Sequence, residues 1–523
     1  MATKSQWSSR VGLILAAAGS AVGLGNFLRF PGQAAKHGGG AFMLPYFVSL
    51  VVLGVPLAWA EWTIGRYGGV RGYNSAPGIY ASLWRHPLAK YLGVIGVLVP
   101  LVIYSYYVLV EAWCAYYAWG YLTGDLMLGR DPAAYATFFE RMAGTSANGA
   151  AVSGGATLVV IVLCGLANAV LVARGLSQGI EAFCKVAMPV LAALAAIVLV
   201  RVLFLGTPDP SQPERSLVGG LGYMWNPRPE ALLSAETWLA ASSQIFFSLS
   251  VGFGILVHYS SYVRRRDDVT LSALTACSTN ELFEVCFGGM ITIPASFVFL
   301  GALAPGALGS SFELGFITLP NVFAGMLGGR LFGFLWFAML FVAAITSSVA
   351  MIQPAVAFLQ EGFGLGRRRA TWLLAAVCAV VTGVVAALSK GLVALDTLDF
   401  WAGSFLIFVL ATVQALLYAT QLGVRRGHVE MNAGGQLRVP RFVQWVLVVV
   451  VPAYLLVILL AFCWQNLPDK LAGYAASADP GVVAGLLVIA IGGAALTLLV
   501  RGAGRRWERE PPPATDGAVE EAS

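Results

Sequence analysis

Long apolar stretches, separated by short polar segments, recur along the whole chain. Each stretch is about as long as the roughly 20 residues that an α-helix needs to cross a hydrocarbon core of about 30 Å. The pattern therefore predicts an all-α membrane protein with about twelve transmembrane helices. We place these spans at 11–36, 41–65, 88–122, 157–173, 179–204, 238–262, 270–301, 331–360, 370–389, 393–424, 440–465 and 480–501.

The first and sixth spans are interrupted by glycine: Gly19, Gly23 and Gly25 in the first, and Gly252 and Gly254 in the sixth. Glycine disfavours a helix by about 1 kcal/mol relative to alanine, although it is also common where membrane helices pack closely. Interrupted helices at corresponding positions of two repeats indicate the binding site of a transporter. We expect both helices to be unwound in the middle of the membrane.

The composition also indicates a chain that faces lipid. Charged residues make up 11% of the sequence, against about 25% in soluble domains. The net charge of +6 does not indicate nucleic-acid binding, because the basic residues lie in loops between spans.

Four arginine clusters fall on the side of the N-terminus, which the positive-inside rule assigns to the cytoplasm: 264–266, 367–369, 425–426 and 505–506. Both termini are predicted to be cytoplasmic, with residues 1–10 as the amino-terminal segment and 508–523 as a disordered tail.

Several polar side chains lie well inside the predicted spans. Unwound backbone in a bilayer costs several kcal/mol for each unpaired group, so it is tolerated only where protein, water or a ligand satisfies it. Free carbonyls suit sodium, and helix N-termini suit a carboxylate. Interhelical hydrogen bonding is the alternative role for each polar side chain. Because these polar side chains lie beside two broken helices, together they favour a site for a zwitterion and sodium. They are Asn26, Ser248, Asn280, Thr346 and Ser347.

Short motifs in the same order along the chain resemble the neurotransmitter:sodium symporter family. They are Trp7, Arg10, 19–31, 37–42, 61–66, 316–320, 346–348 and 399–403. The resemblance is greatest to the prokaryotic, LeuT-like amino acid transporters. It implies the LeuT fold, with two inverted five-helix repeats at 11–204 and 238–424 and two extra helices at 440–501. The rule about interrupted helices rests partly on this family, so it is no independent support for the repeats.

The resemblance implies two sodium ions held by oxygen atoms, which suit a hard cation. One ion would be bound by the substrate's carboxylate together with Ala21, Asn26, Ser248 and Asn280. The other would be bound by the carbonyls of Gly19, Val22 and Ala343 and the hydroxyls of Thr346 and Ser347. No organic cofactor is expected.

The implied substrate is a neutral amino acid. Its carboxylate would meet the amides of Leu24 and Gly25 and the hydroxyl of Tyr107. Its amino group would meet the carbonyls of Ala21, Phe247 and Ser248 and the hydroxyl of Ser250. Gly23 stands where relatives that carry monoamines have an aspartate, which favours an amino acid over an amine. The implied side-chain pocket contains no charged group and consists of Ile103, Tyr107, Phe247, Ser250, Phe253, Ser347 and Met351.

Glu284 is an ionisable residue inside the seventh span, where such a group is costly and by default functional. Chloride-dependent relatives resemble this segment but carry a serine there. Tyr46, Gln244 and Ser248 match the other positions of the family's chloride site. The resemblance thus implies that Glu284 replaces chloride, ionised when sodium is bound and protonated on return. A structural ion pair with a neighbouring helix is the alternative.

Two gates are also implied by the matched positions. Outside, Arg29 would pair with Asp399, with Tyr107 and Phe247 as a lid over the substrate. Inside, Lys4 would face Glu361, with Trp7 and Tyr262 nearby. Lysine stands at residue 4 where relatives often have arginine, and it cannot form the planar bidentate pair.

The expected function is therefore sodium-coupled symport of a neutral, aliphatic or otherwise hydrophobic amino acid by alternating access. A membrane sensor that binds an amino acid without moving it is the alternative, but a sensor needs no coupled ions. An enzyme is not expected, because the chain lacks an H-E-x-x-H motif, a Walker loop and a G-x-S-x-G in a suitable context.

The expected partners are the substrate and membrane lipid, and the expected location is the cell (inner) membrane. The identity of the amino acid, the sodium stoichiometry, proton antiport and a homodimer stay open.

Overall fold

The computed structural model describes residues 7–301 and 311–509, and in these two ranges the chain is helical without a β-strand. Its main helices are labelled in chain order. They are α1 (Arg10–Ala21), α2 (Gly25–Lys36), α3 (Gly40–Val70), α4 (Ala89–Thr123), α5 (Ala156–Ala173), α6 (Leu176–Leu203), α7 (Ala235–Ser248), α8 (Ile255–Ser260), α9 (Val269–Leu300), α10 (Gly329–Phe363), α11 (Arg367–Ala387), α12 (Lys390–Asn432), α13 (Arg441–Ala476) and α14 (Pro480–Arg509).

Shorter helices lie in the connections between these elements. They are Ala76–Leu83, Pro132–Ala143, Ala150–Ser153, Leu217–Trp225, Pro229–Leu233, Ser311–Glu313, Leu314–Thr318 and Leu319–Gly325. The apolar segment 312–319 is too short to cross a membrane. It packs inward through Phe316, whose ring meets those of Trp113 and Tyr117 at centroid distances of 5.8 and 5.1 Å.

The prediction of an all-α membrane protein is confirmed. Ten helices of the described part are long and apolar enough to cross a membrane, and the bent pair α1–α2 brings the number to eleven. The remaining predicted span, the sixth at 238–262, is divided between α7 and α8, and each of these helices is too short to cross a membrane alone. The inverted repeats stay a prediction. The terminal segments are described only from Trp7 and up to Arg509.

The helices are interrupted at both glycine-rich segments. Between α1 and α2 the axis bends by 49°, and Val22 adopts an extended conformation. Between α7 and α8 the residues Ser250, Gly252 and Gly254 all have positive φ. A Cβ at Gly254 would lie 2.4 Å from the carbonyl oxygen of Gly96, so only glycine fits this turn.

The helices differ sharply in how much of them is buried. In the apolar segment of α4, 89% of the residues are buried, and in α10 the share is 78%. The corresponding shares are 22% in α13 and 11% in α14. Helices α4 and α10 therefore form the interior of the bundle. The first break contacts α4 at Tyr107 and α10 at Ser347, and the second break contacts α4 at Gly96.

Candidate functional site

A cavity of about 280 Å³ lies between the two helix breaks. It is lined by residues of α1, α2, α4, α7, α10 and α12 and of the break after α7, together with Ser311 and Phe312. The lining includes every residue that the sequence assigned to the substrate: Ala21, Leu24, Gly25, Ile103, Tyr107, Phe247, Ser248, Ser250, Phe253, Ser347 and Met351. These residues come from four separate stretches of the chain, which the fold brings to one place.

One wall of the cavity consists of polar groups at the first break. The backbone amide of Leu24 donates a hydrogen bond to the hydroxyl of Tyr107 at 3.2 Å. A Cβ at Gly23 would lie 2.9 Å from both the Tyr107 and the Ser347 hydroxyl oxygens. The wall therefore has no room for a side chain at residue 23 unless those hydroxyls move.

Four buried side chains form a first polar group beside the cavity, which we call the amide cluster: Asn26, Ser248, Asn280 and Glu284. The Asn26 amide nitrogen donates to the Asn280 side-chain oxygen at 2.9 Å. The Asn280 amide nitrogen donates to the Ser248 hydroxyl at 2.7 Å. Both amides lie 3.3 Å from one carboxylate oxygen of Glu284. The cluster thus contains one acid and joins α2, α7 and α9.

Five residues form a second group, which we call the hydroxyl cluster: Gly19, Val22, Ala343, Thr346 and Ser347. The Ser347 hydroxyl lies 3.3 Å from the carbonyl oxygens of Gly19 and Val22 and 3.2 Å from that of Ala343. The Thr346 hydroxyl donates to the Ala343 carbonyl at 2.9 Å. One hydroxyl hydrogen satisfies only one of three carbonyls at a time, so carbonyl lone pairs are left over. Such a set of neutral oxygens suits a hard cation.

The surroundings of Glu284 contain a second acid that the sequence analysis missed. Gln244, one of the positions matched to the family's chloride site, donates to one Glu284 oxygen at 2.7 Å. Tyr46, however, donates to Glu281 at 2.6 Å. The two acids are three residues apart on α9, a spacing that puts them on neighbouring positions of one helix face. This spacing was the signal available in the sequence.

Two further buried acids lie close to the breaks. Glu61 accepts a hydrogen bond from the backbone amide of Gly252 at 2.7 Å, which satisfies a group freed by the second break. Glu111 accepts hydrogen bonds from Ser348 and, at 3.0 Å, from Asn168. Both acids lie inside predicted spans, where an ionisable residue by itself is a signal of function. Neither was singled out from the sequence for such a role.

At one end of the cavity lie Arg29 and Asp399, the residues expected to form the outer gate. Between these two described residues there is no direct ion pair. Arg29 instead stacks over the ring of Phe247, 4.2 Å from its centroid, and lies 3.4 Å from the Ser243 hydroxyl. Asp399 accepts a hydrogen bond from Tyr106 at 2.7 Å. Their pairing stays a prediction.

The residues expected at the inner gate are only partly together. Lys4 lies outside the described residues. Glu361 accepts hydrogen bonds from the amides of Asn74 and Ser75 at 2.6 and 2.9 Å. The Trp7 indole donates to the Tyr259 carbonyl at 3.1 Å. Tyr262 packs against His258 at a centroid distance of 5.2 Å.

Other contacts at this end hold the start of α1. The Ser8 amide and hydroxyl donate to Glu181 at 2.7 and 2.5 Å, and the Ser9 hydroxyl donates at 2.9 Å. Lys185 pairs with the same carboxylate at 2.8 Å. These contacts were not foreseen, because residues 8 and 181 are distant in the sequence.

Asp268 precedes α9 and lies 3.5 Å from Arg10. Burial disfavours its charged form, but hydrogen bonds from Leu271, Thr270, Gln436 and Leu437 outweigh burial and lower the pKa of this carboxyl below its usual value. It therefore carries a negative charge near the start of α1 at neutral pH.

Comparison with known proteins adds independent information. The model of the Sodium:neurotransmitter symporter family matches residues 4–131 and 130–497. An uncharacterized sodium-dependent transporter of Methanocaldococcus jannaschii is 30% identical over 93% of this chain and 95% of its own length. The uncharacterized sodium-dependent transporter YhdH of Bacillus subtilis is 28% identical over 87% of this chain and 97% of its own.

A solved structure is similar along nearly its whole length. It is the crystal structure of MhsT in complex with L-phenylalanine, with a TM-score of 0.73 and 29% sequence identity. The match covers 88% of this chain and 99% of that one. The similarity thus shows that the overall fold is shared over most of this chain.

Proposed function

The chain belongs to the sodium:neurotransmitter symporter family, and we propose that it carries a neutral, hydrophobic amino acid across the membrane with sodium. The family consists of sodium-dependent transporters and not of enzymes. One observation carries the finer proposal: a single cavity touches both helix breaks and is flanked by two separate clusters of oxygen atoms. A substrate and two cations would therefore be in contact with the same interrupted backbone.

The amide cluster and Ala21 would hold one sodium ion. Asn26, Ser248 and Asn280 offer side-chain oxygens, and the substrate's carboxylate would complete the shell. The hydroxyl cluster would hold the second ion through three carbonyls and two hydroxyls. Because the second set contains no acid and no substrate atom, we propose that it mainly stabilises the break between α1 and α2.

The substrate's carboxylate would bind at the amides of Leu24 and Gly25 and the hydroxyl of Tyr107. Helix α2 begins at Gly25, and helix N-termini favour anions. The amino group would meet the carbonyls of Ala21, Phe247 and Ser248 and the hydroxyl of Ser250. The lack of room at Gly23 disfavours the aspartate that an amine carrier would need.

The opposite wall favours a hydrophobic substrate side chain. Ile103, Phe247, Phe253 and Met351 provide apolar surface, and a buried charged group would have no partner among them. The neighbour MhsT was crystallised with L-phenylalanine, which agrees with a pocket of this kind. Methionine adapts its shape easily, so several side chains of similar volume should be accepted.

We further propose that transport does not require chloride. Glu284 places a carboxylate beside Asn26 and Asn280, and this charge would balance sodium in place of chloride. Alternating access would follow from rocking of the broken helices about the cavity, with Glu284 protonated on the return step. The Arg29–Asp399 and Lys4–Glu361 pairs would close the two ends in turn.

Uptake into proteoliposomes tests the proposal. The purified full-length protein is given each of the twenty amino acids, with an inward sodium gradient and with potassium in place of sodium. Accumulation of one or a few neutral, hydrophobic amino acids only with sodium is expected. Binding without accumulation would favour the sensor, and uptake that is indifferent to sodium would contradict both ion sites.

A further inference from the structure

Helices α5 and α11 pack beside each other on α4 and leave a groove of about 300 Å³ between them. Its rims carry Leu158, Val162, Leu166 and Trp372, which are 39–52% exposed. The groove extends along α5 from Leu158 to Ala169, about 16 Å at 1.5 Å per residue. It is thus an elongated apolar groove on the outside of the helix bundle.

Small residues create this space. Gly165 of α5 and Ala379 and Gly383 of α11 line the groove. A Cβ built at Gly165 or Gly383 meets no atom within 4 Å. The glycines are therefore not needed for close packing of these two helices, and the groove is open to an occupant.

The groove leads to a cluster of arginines where α5 ends and α11 begins. A second cavity of about 760 Å³ lies there, lined by Ala173, Arg174, Gln178, Gly366 and 367–369. Ala173 is one helical turn beyond Ala169, and Arg369 is three residues before Trp372. No acidic residue lines this second cavity. We call it the arginine cradle.

The side of the arginine cradle that faces the helices is held in place by a hydrogen bond. The Nε of Arg367 donates to the Val172 carbonyl at 2.8 Å, which fixes the start of α11 against α5. The Nη2 atom of Arg367 is buried without a hydrogen-bond partner among the described residues. Arg174, Arg368 and Arg369 are exposed, and their side chains make no hydrogen bond or ion pair to the described part of the chain.

We propose that the groove and the cradle together bind one anionic glycerophospholipid, with the phosphate among the arginines and an acyl chain in the groove. Arginine offers several donors in a planar array that matches phosphate oxygens. Basic pockets between membrane helices on the cytoplasmic side suit anionic headgroups, and the positive-inside rule puts this end in the cytoplasm. The proposal does not depend on which solute the protein carries.

Two other occupants fit less well. Free phosphate would occupy the arginine cradle but would leave the apolar groove, which is about 16 Å long, empty. A second copy of the chain could cover the groove, but in a two-fold symmetric pair it would bring its own arginines to the same region. A lipid satisfies both the charge and the apolar surface.

The test uses purified, delipidated full-length protein in detergent and measures lipid binding by native mass spectrometry and by thermal shift. The probes are phosphatidylglycerol, phosphatidylcholine with the same chains, and glycerol phosphate without chains. We expect one tightly bound phosphatidylglycerol that raises the melting temperature. Phosphatidylcholine should bind at least tenfold more weakly, and glycerol phosphate should have no effect.

Two kinds of variant distinguish binding of the lipid headgroup from binding of its acyl chain. Arg174→Gln with Arg368→Gln and Arg369→Gln should weaken phosphatidylglycerol binding at least tenfold. The matched control, Arg425→Gln with Arg438→Gln and Arg441→Gln, removes three exposed charges elsewhere and should bind as the unaltered protein does. Gly165→Leu and Gly383→Leu, tested separately, should each weaken binding at least fivefold, because a leucine fills open space there.

Several outcomes would overturn the proposal. Equal binding of the two lipids, or an equal loss in the control triple variant, would show only general attraction to negative charge. Binding that glycerol phosphate reproduces would reduce the site to a phosphate site. A dimer that Gly165→Leu and Gly383→Leu both convert to a monomer, without a change in lipid binding, would make the groove an interface between copies of this chain.

Discussion

The amide cluster and the hydroxyl cluster lie on two sides of the same helix break, yet their chemistry differs. The amide cluster contains a carboxylate, Glu284, and its side chains bind one another in a closed network. The hydroxyl cluster contains no acid, and its oxygens are mostly main-chain carbonyls of α1 and α10. A cation in the first would interact with charge and with the substrate, whereas a cation in the second would interact with the backbone of the break.

The difference suggests a division of roles. On the proposed function, the amide cluster would determine which anion accompanies the cation, and it would link the cation to the substrate. The hydroxyl cluster depends on the exact path of the backbone at Gly19 and Val22, so it responds to the conformation of α1. If both roles hold, variants of the two clusters should change different measured quantities.

The largest effect is expected from Asn26→Ala. The change removes a proposed sodium ligand, and the Asn280 side-chain oxygen and the Gly23 amide lose their hydrogen bonds to Asn26, at a cost of about 1–3 kcal/mol for each unpaired group. Sodium-dependent uptake should fall at least about 100-fold, since each 1.4 kcal/mol is tenfold. Uptake in proteoliposomes measures this. Asn168→Ala, which removes a buried amide bound to Glu111 instead, should retain sodium-dependent uptake, and an equal loss there would assign the effect to general destabilisation.

The next effect concerns the hydroxyl cluster. Thr346→Val with Ser347→Ala removes two neutral ligands and keeps most of the volume. The sodium concentration for half-maximal uptake should rise by about 30-fold, or roughly 2 kcal/mol, with little change in chloride response. Thr412→Val is the control, because among the described residues its hydroxyl bonds to the Phe408 carbonyl within α12 alone. An unchanged sodium requirement in the double variant would remove the second ion from the account.

A smaller effect should distinguish the two acids of α9. Glu284→Ser should make uptake depend on chloride, with a stimulation of about tenfold, equivalent to about 1.4 kcal/mol. Glu281→Gln should leave uptake independent of chloride. The comparison is needed because Tyr46 donates to Glu281. If the Glu281 variant became chloride-dependent and the Glu284 variant did not, the compensating charge would belong to Glu281.

The smallest effect is expected at Gly23, which lies between the clusters. Its amide donates to Asn26 at 2.9 Å, and an added Cβ would approach Ser347 and Tyr107. Because both contacts are the hydroxyl ends of side chains that can shift, Gly23→Ala should weaken substrate binding only about three- to tenfold, by about 1 kcal/mol. Equilibrium binding of the transported amino acid measures this. Gly473→Ala, where a Cβ meets no atom within 4 Å, should have no effect.

The sequence was informative about the spans, because hydrophobic length depends on local composition. The ends of α4 and α5 lie within one residue of those predicted. Hydropathy alone shows the sixth span as one stretch over 238–262, and only Gly252 and Gly254 predict an interruption within it. In the structure six residues separate α7 from α8. Hydropathy does not register such a break, since Leu249, Val251 and Phe253 within it are apolar and buried.

The cavity residues were predictable because the family motifs fix their positions in the chain. The partners of the buried acids were not, because they depend on contacts between distant helices. Tyr46 is separated from Glu281 by 235 residues, and Ser348 from Glu111 by 237. No local pattern reports such pairs. The arginines at 367–369 were recognised only as a marker of topology, since the groove that leads to them exists only after α5 and α11 pack together.

The central claim is that the sodium gradient drives accumulation of the amino acid. The most direct measurement follows the internal concentration of the transported amino acid in proteoliposomes with an inward sodium gradient, before and after an ionophore collapses that gradient. The account predicts accumulation above the external concentration, followed by release to equality once the gradient is gone. Accumulation that survives the collapse, or that never exceeds the external concentration, would contradict it.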